Sequence, residues 1–151
     1  MRPRLALPIL LTAAAVLVTA GAANAFTTRY SNGPLTATFT ASTHHPTCKQ
    51  MWPVTVTARA YGRAVHAVAT YQFLNGGQLV STQYPFGGRS RNPHYKPYHF
   101  FGSFYDNTFG PFGALAVGRT LNVRAVVRWG KYTAYPGTTV QVRKVSGCRA
   151  E

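Results

Sequence analysis

Acidic side chains are nearly absent from this sequence. The 151 residues include two carboxylates against 16 lysines and arginines, and the formal net charge is +14. The two acids are Asp106 and the last residue, Glu151. Glycoside hydrolysis normally needs a pair of carboxylates, and a calcium site needs several oxygen ligands, so both are disfavoured. The excess of positive charge instead favours contact with anionic polymers and surfaces.

Long apolar runs are also missing, except at the amino terminus. Arg2 and Arg4 precede one such run, which ends in the small residues Ala23-Asn24-Ala25. This order is typical of a secretory signal peptide, so we predict that residues 1–25 are removed and that the mature chain begins at Phe26. An uncleaved membrane anchor is the alternative, because the run is nearly long enough to span a bilayer. After cleavage we expect a secreted chain with no transmembrane span and, without the two arginines, a charge of about +12.

Cysteine is scarce as well, with only Cys48 and Cys148 in the chain. An even number of cysteines in an exported protein favours a disulfide, and we predict that these two are linked. A metal site needs more ligands at short spacing, so we expect neither a metal nor another cofactor.

The strongest pattern that is present is an alternation of apolar and polar residues between Gly118 and Gly130. The apolar positions are Leu121, Val123, Ala125, Val127 and Trp129. Side chains on a strand point alternately to its two faces, so this segment is predicted to be a strand with one buried face. We take it as the central strand of a sheet.

Further short segments predict more strands, with turn residues between them and no helical periodicity in the mature chain. These segments are 35–41, 54–60, 65–74, 78–82, 100–106 and 138–145. About seven short strands predict an all-β fold, an immunoglobulin-like antiparallel two-sheet sandwich, with a closed barrel as the alternative. Residues 26–34 are interpreted as a polar lead-in and residues 35–151 as the domain. Because the cysteines follow the first and last strands, we expect both at the same end of the sandwich.

Four parts of the sequence resemble small secreted immunoglobulin-like proteins of actinobacteria. They are Leu35-Thr-Ala-Thr-Phe-Thr-Ala-Ser-Thr-His-His-Pro-Thr, Trp52-Pro-Val-Thr-Val-Thr-Ala, Tyr71-Gln-Phe-Leu-Asn-Gly-Gly-Gln-Leu-Val, and Gly102-Ser-Phe-Tyr-Asp106 followed by Val117-Gly-Arg-Thr-Leu-Asn-Val-Arg-Ala-Val-Val. The resemblance implies a secreted β-sandwich of undetermined activity and supplies no catalytic residues. The cysteine pair and the tyrosine-rich stretch 84–99 depart from that pattern, so we expect this long surface loop to be particular to the protein.

The candidate binding surface has two parts, a group of arginines on one sheet and a group of basic and tyrosine residues in the loop. We expect Arg124, Arg128 and Arg143 on the outer face of one sheet. The loop would contribute Arg89, Arg91 and Lys96, together with Tyr95 and Tyr98. Arginine and tyrosine are typical of binding surfaces, although a solvated sheet face and a packed loop are the simpler interpretations.

The predicted function is that of a secreted, non-enzymatic binding or structural module associated with the cell envelope. Its partner would be an anionic envelope polymer, lipid head groups or another envelope protein. Binding of single-stranded nucleic acid ranks below these, because an exported protein seldom meets nucleic acid as its main partner.

A secreted hydrolase is the competing hypothesis. His99, Ser103 and Asp106 lie close in sequence, and His99 and Ser103 would share one strand face. No Gly-x-Ser-x-Gly motif supports it, and the favoured interpretation is a strand with a turn-capping aspartate. A metal pair at His44-His45 is disfavoured too, because adjacent side chains on an extended chain point apart.

Overall fold

The structure of the protein is a computed structural model that describes residues 25–87, 96–110 and 112–148. The predicted signal peptide falls almost entirely on residues 1–24 and so lies outside the described residues. Within the described ranges the regular elements are eleven β-strands and a single turn of 3-10 helix at Ala114–Ala116. In chain order the strands are β1 (Phe26–Asn32), β2 (Leu35–Ala41), β3 (Val54–Ala60), β4 (Arg63–Ala64), β5 (His66–Asn75), β6 (Gln78–Gln83), β7 (Tyr98–Phe101), β8 (Ser103–Asp106), β9 (Thr120–Trp129), β10 (Tyr132–Ala134) and β11 (Gly137–Gln141).

The strands form two antiparallel sheets that pack face to face. In the first sheet β1, β2 and β3 are neighbours, and β8 and β4 lie one after the other along the free edge of β3. In the second sheet β9 pairs with β5, β10 and β11 follow the other edge of β9, and β6 and β7 follow the other edge of β5. The predicted all-β, two-sheet antiparallel sandwich is confirmed, with β9 as a central strand.

The core forms where the alternating residues of the two sheets meet. Every second residue of β2, from Leu35 to Ala41, is buried, and β3 and β5 show the same alternation. The largest fully buried side chains include Trp52, Tyr71 and Phe39. Burial of these apolar faces is the main favourable contribution to folding.

The predicted lead-in at residues 26–34 is wrong, because Phe26–Asn32 forms strand β1. All seven of its residues are in register with β2, from Phe26 opposite Ala41 to Asn32 opposite Leu35. β1 lies at the edge of the sheet and only Phe26 and Thr28 are partly buried, so its sequence has no apolar alternation to reveal it. The domain therefore includes Phe26–Asn32.

The strand predicted at residues 100–106 is divided between the two sheets at Gly102. β7, before this glycine, pairs with β5, and β8, after it, pairs with β3. The Gly102 N–H donates to Val65 O (3.0 Å), and Gly102 O accepts from the Ala58 N–H (2.8 Å). Its φ of +66° favours glycine, because a side chain there would approach the backbone. This division, together with the edge strand β1 and the short strands β4 and β10, explains why the described residues form eleven strands and not the seven expected.

Cys48 and Cys148 form the predicted disulfide, with their Cα atoms 6.0 Å apart. The bond joins the connection after β2 to the segment after β11, so both cysteines do lie at the same end of the sandwich. A disulfide fits an oxidising, extracellular-like environment. Among the residues that the structure describes, no helix is long and apolar enough to cross a membrane.

Candidate binding surface

Arg124 and Arg128 project from the outer face of the second sheet, as predicted, but they differ in their surroundings. The Arg124 Nε and Nη2 groups donate to Gln72 Oε1 (3.0 and 2.8 Å), and its guanidinium lies 4.7 Å from the centre of the Tyr135 ring. These contacts hold Arg124 against the sheet and leave it half-buried. Arg128 is exposed and lies opposite Val68. Of the two, Arg128 is the one available to a ligand.

Arg143 is exposed, as predicted, but it lies outside the strands of the sheet, so its grouping with Arg124 and Arg128 stays a prediction. β11 ends at Gln141, and Arg143 lies beyond it in an isolated parallel bridge with Thr47. Beyond Gln141 the backbone stays bonded to its neighbours: Val142 O accepts from the Gly118 N–H (2.8 Å), just before β9, and the Arg143 N–H donates to Pro46 O (2.8 Å). Arg143 is therefore placed beside the disulfide, at one end of the sandwich.

The tyrosine-rich loop is only partly described. Arg89, Arg91 and Tyr95 lie outside the described residues, and Lys96 is exposed. Tyr98 is the first residue of β7, opposite Ala69 on the buried face of β5. Its ring centre lies 4.8 Å from that of Phe86 and 5.1 Å from that of Phe104. Tyr98 therefore contributes to packing and is half-buried, and its role in binding stays a prediction.

The predicted hydrolase residues do not converge. His99 is exposed on the outer face of the second sheet, opposite Val68. Ser103 is exposed on the outer face of the first sheet, opposite Thr57. The chain changes sheet at Gly102, between them, so the two side chains face solvent on opposite sides of the sandwich and the expected common strand face is wrong.

Asp106 is buried, and its carboxylate is occupied by structural hydrogen bonds. It accepts from the Tyr71 hydroxyl (3.2 Å), the Phe86 N–H (2.9 Å), and the N–H (2.9 Å) and hydroxyl (2.8 Å) of Thr108. Burial raises the pKa of the Tyr71 phenol well above its usual value, and the negative charge of Asp106 and their hydrogen bond raise it further. The interpretation of Asp106 as a turn-capping residue is confirmed, because Thr108 lies two residues beyond it.

His44, the first residue of the predicted metal pair, is also in structural surroundings. The His44 ring stacks on Phe26 with centres 3.7 Å apart, and its Nδ1 lies 3.2 Å from Thr139 O and 3.1 Å from Thr138 Oγ1. Across the ranges that the structure describes, no group of three or more His, Cys, Asp or Glu side chains could hold a metal ion.

Aromatic and basic side chains converge at the opposite end of the sandwich from the disulfide. We call them the turn-end cluster, and its members are Arg59, Tyr61, Arg63, Trp129, Lys131 and Tyr132. They lie in two turns, between β3 and β4 and between β9 and β10, and in the strand ends beside them. The Tyr61 and Trp129 ring centres are 6.5 Å apart, which shows that the two turns are adjacent.

Two rings of the cluster are half-buried and the third is exposed. Trp129 and Tyr132 stack with an interplanar angle of 15° and are half-buried against the core. Tyr61 is 80% exposed and has a φ of +51°, an uncommon conformation for a residue with a side chain. The Arg59 Nη1 group donates to Gly62 O (3.1 Å), within the same turn as Tyr61. A large ring is thus held out into solvent by a fixed turn.

The charge at this end is positive. Arg59, Arg63 and Lys131 are exposed, and the Lys131 Nζ lies 5.5 Å from the centre of the Tyr132 ring. Asp106 is the only acid among residues 25–87, 96–110 and 112–148, and it is buried. No carboxylate of the described surface can therefore neutralise the cluster.

Sequence reasoning missed the cluster because its two turns are almost 70 residues apart in the chain. Their local compositions share a signal, since Tyr61-Gly62-Arg63 and Trp129-Gly130-Lys131-Tyr132 both combine aromatic residues, a glycine and a cation. Only the packing of one sheet on the other brings the two turns together.

No protein-family model, curated protein or solved structure matches this chain. The resemblance to secreted immunoglobulin-like proteins of actinobacteria therefore stays a prediction.

Proposed function

We propose that this protein is a secreted binding module, not an enzyme, and that it attaches to anionic lipid head groups of the cell envelope through the turn-end cluster. The observation that supports this most is the meeting of three aromatic rings and three exposed cations at one end of a rigid sandwich. The disulfide supports an extracytoplasmic location.

The composition of the cluster favours a lipid surface over other anionic partners. Tryptophan and tyrosine are enriched at membrane–water interfaces, where an apolar ring and a polar tip are both accommodated. Lysine and arginine near an anionic bilayer each contribute about 1 kcal/mol of attraction. Tyr61, which is exposed, would enter the head-group layer first, with Lys131 and Arg63 beside it on the phosphates.

The proposal replaces the surfaces expected from the sequence with one that the fold assembles. Arg124 is held by Gln72, Arg143 lies at the disulfide end, and Tyr98 packs inward. An anionic wall polymer and another envelope protein are the competing partners. Comparing the binding of the protein to vesicles with its binding to wall polymer distinguishes a lipid partner from a polymer partner.

The first test is retention on vesicles made with and without anionic phospholipid, compared with retention on purified anionic wall polymer. In the charge variant, Arg63→Ser is combined with Lys131→Ser; in the ring variant, Tyr61 is replaced by Ser. Arg29→Ser combined with Lys144→Ser is the matched charge control, and Tyr105→Ser is the matched ring control. Arg29 and Tyr105 are exposed on strands of the first sheet and Lys144 is exposed beyond β11, all away from the turn-end cluster.

We expect the parent protein and both controls to bind anionic vesicles and to bind neutral vesicles weakly. Removing two cations should weaken binding about 30-fold, from about 1 kcal/mol for each charge. The ring variant should also bind less, but with an unchanged dependence on salt. Equal binding by the cluster variants and the controls would contradict the proposed surface, and preference for wall polymer over vesicles would contradict the lipid partner.

A further inference from the structure

A pocket with a volume of about 440 Å³ opens at the disulfide end of the sandwich. It lies between β6, the connection from β8 to β9, and the start of β9. The residues that line it are Phe73, Asn75, Val80, Ser81, Gln83, Phe109, Gly110, Phe112, Gly113, Leu115, Ala116, Arg119 and Leu121. Its volume is within the range of small-molecule sites, about 300–1,000 Å³.

The floor of the pocket is apolar and is fixed by the core. Phe73, Phe109, Phe112 and Leu121 are all buried. The Phe109 ring centre lies 4.4 Å from that of Tyr71, and the Phe112 and Phe73 ring centres are 6.0 Å apart. Because these rings pack on the core and on each other, the pocket exists without a ligand.

The mouth of the pocket is also apolar, although it faces solvent. Val80 is 57% exposed and Leu115 is 71% exposed. Exposed aliphatic side chains beside an open apolar pocket are typical of a ligand-binding site. The polar residues of the lining, Asn75, Ser81 and Gln83, carry no charge.

Arg119 is the only charged residue among those that line the pocket. Its backbone is fixed on both sides, because its N–H donates to Ala116 O (3.0 Å) and its carbonyl accepts from the Val142 N–H (3.2 Å). The side chain is exposed at the mouth, in a protein whose other described surface residues include no acid. The guanidinium is suited to pair with a carboxylate in two parallel hydrogen bonds.

We propose that this pocket binds a medium-chain fatty acid, with the hydrocarbon chain on the phenylalanine floor and the carboxylate on Arg119. An apolar floor, aliphatic residues at the mouth and one cation with no acid on the described surface to pair with match the two parts of such a molecule. The site lies at the opposite end of the sandwich from the turn-end cluster. It therefore does not depend on the proposed attachment to lipid head groups, and either proposal can fail alone.

The test is calorimetric titration with decanoate and with decanol, below the concentration at which either aggregates. Decanol has the same hydrocarbon chain without the charge. Arg119→Gln removes the cation, Arg29→Gln removes one positive charge far from the pocket, and Ser81→Trp fills the pocket. Melting temperatures establish that each variant is folded.

We expect the parent protein to bind decanoate more tightly than decanol. Arg119→Gln should weaken decanoate binding up to about five-fold, the range for an exposed ion pair, and should leave decanol binding unchanged. Arg29→Gln should bind both molecules like the parent, and folded Ser81→Trp should bind neither.

Three results would overturn the proposal. One is the absence of binding of both molecules by the parent. Another is decanoate binding that Arg119→Gln weakens no more than Arg29→Gln does. The third is unchanged binding by folded Ser81→Trp, which would place the ligand elsewhere.

Discussion

At the residue scale, Asp106 connects three parts of the chain that are distant in sequence. Its carboxylate accepts hydrogen bonds from Tyr71 in β5, from the backbone of Phe86, and from Thr108 in the turn after β8. A buried carboxylate is stable only when such donors replace its hydration. The acid that invited a catalytic interpretation therefore acts on stability.

The Tyr71 phenol gives this network a pH dependence. Its pKa is raised in the folded protein, mainly by burial, whereas in the unfolded chain it is close to 10. The protonated Tyr71 phenol therefore stabilises the folded state fully below about pH 10. This contribution to the free energy of unfolding is lost as the pH rises from there towards the pKa of the folded protein. We expect Tyr71→Phe to lower the free energy of unfolding at neutral pH by about 1.5–3 kcal/mol, the value of a hydrogen bond to a charged group.

Denaturant unfolding of the parent and of Tyr71→Phe between neutral pH and about pH 11 checks this prediction. Above about pH 10 the parent should lose stability more steeply than the variant, because the variant has no phenol at this position to ionise. If the free energies of unfolding of the parent and of Tyr71→Phe fell equally with pH, ionisation of Tyr71 would not be the cause of the loss.

At the element scale, the passage from β7 to β8 depends on Gly102. A Cβ atom added there would lie 3.0 Å from the Ala64 Cβ, and φ is +66°. Gly62 has a φ of +77°, and a Cβ atom added to it would have no atom within 4 Å, so it is a control for the conformational cost alone. We expect Gly62→Ala to lower the free energy of unfolding by about 1–2 kcal/mol and Gly102→Ala to lower it further. If denaturant unfolding gave the same loss of free energy for both variants, the contact between the added Cβ atom and Ala64 would have no cost.

The strands that can be predicted from the sequence are those that bury one face. Alternation locates β2, β3 and β9, because a slip of one residue would expose their apolar side chains. It cannot locate β1, because an edge strand with a mostly exposed sequence leaves no such pattern. The split at Gly102 also requires the structure, since one alternating segment can serve two sheets.

The candidate sites are harder to predict than the strands. Alternation places Arg124 and Arg128 on an outer face, but it gives no information on Gln72, which holds Arg124. The prolines and glycines around Tyr98 indicate a loop, whereas its pairing with β5 turns it inward. The turn-end cluster depends on the packing of turns remote in sequence, which periodicity within a segment does not encode.

At the scale of the whole molecule, the disulfide closes a loop over most of the described chain. Cys48 and Cys148 are separated by 100 residues, and two further backbone bonds, from Gln141 to His44 O and from Arg143 to Pro46 O, join the same segments. We expect replacement of both cysteines by alanine to lower the free energy of unfolding by about 2–5 kcal/mol and to lower the melting temperature. A reduced parent protein is the control and should melt like the variant. Unchanged melting would show that the backbone bonds alone hold this end.

The two ends of the molecule differ in character, and the central proposal assigns attachment to the turn end. Trp129 belongs to the turn-end cluster and is half-buried, whereas Trp52 lies in the core with 1% of its surface exposed. The fluorescence of Trp129 therefore responds to contact at this end, and that of Trp52 does not.

The most direct measurement is tryptophan emission during titration with anionic vesicles. Transfer of Trp129 towards the head-group layer should shift the emission to shorter wavelengths. The shift should be absent with neutral vesicles and should be reversed by high salt, which screens exposed charges. Retention on anionic vesicles without any change in emission would place the contact on another face and would contradict the proposal.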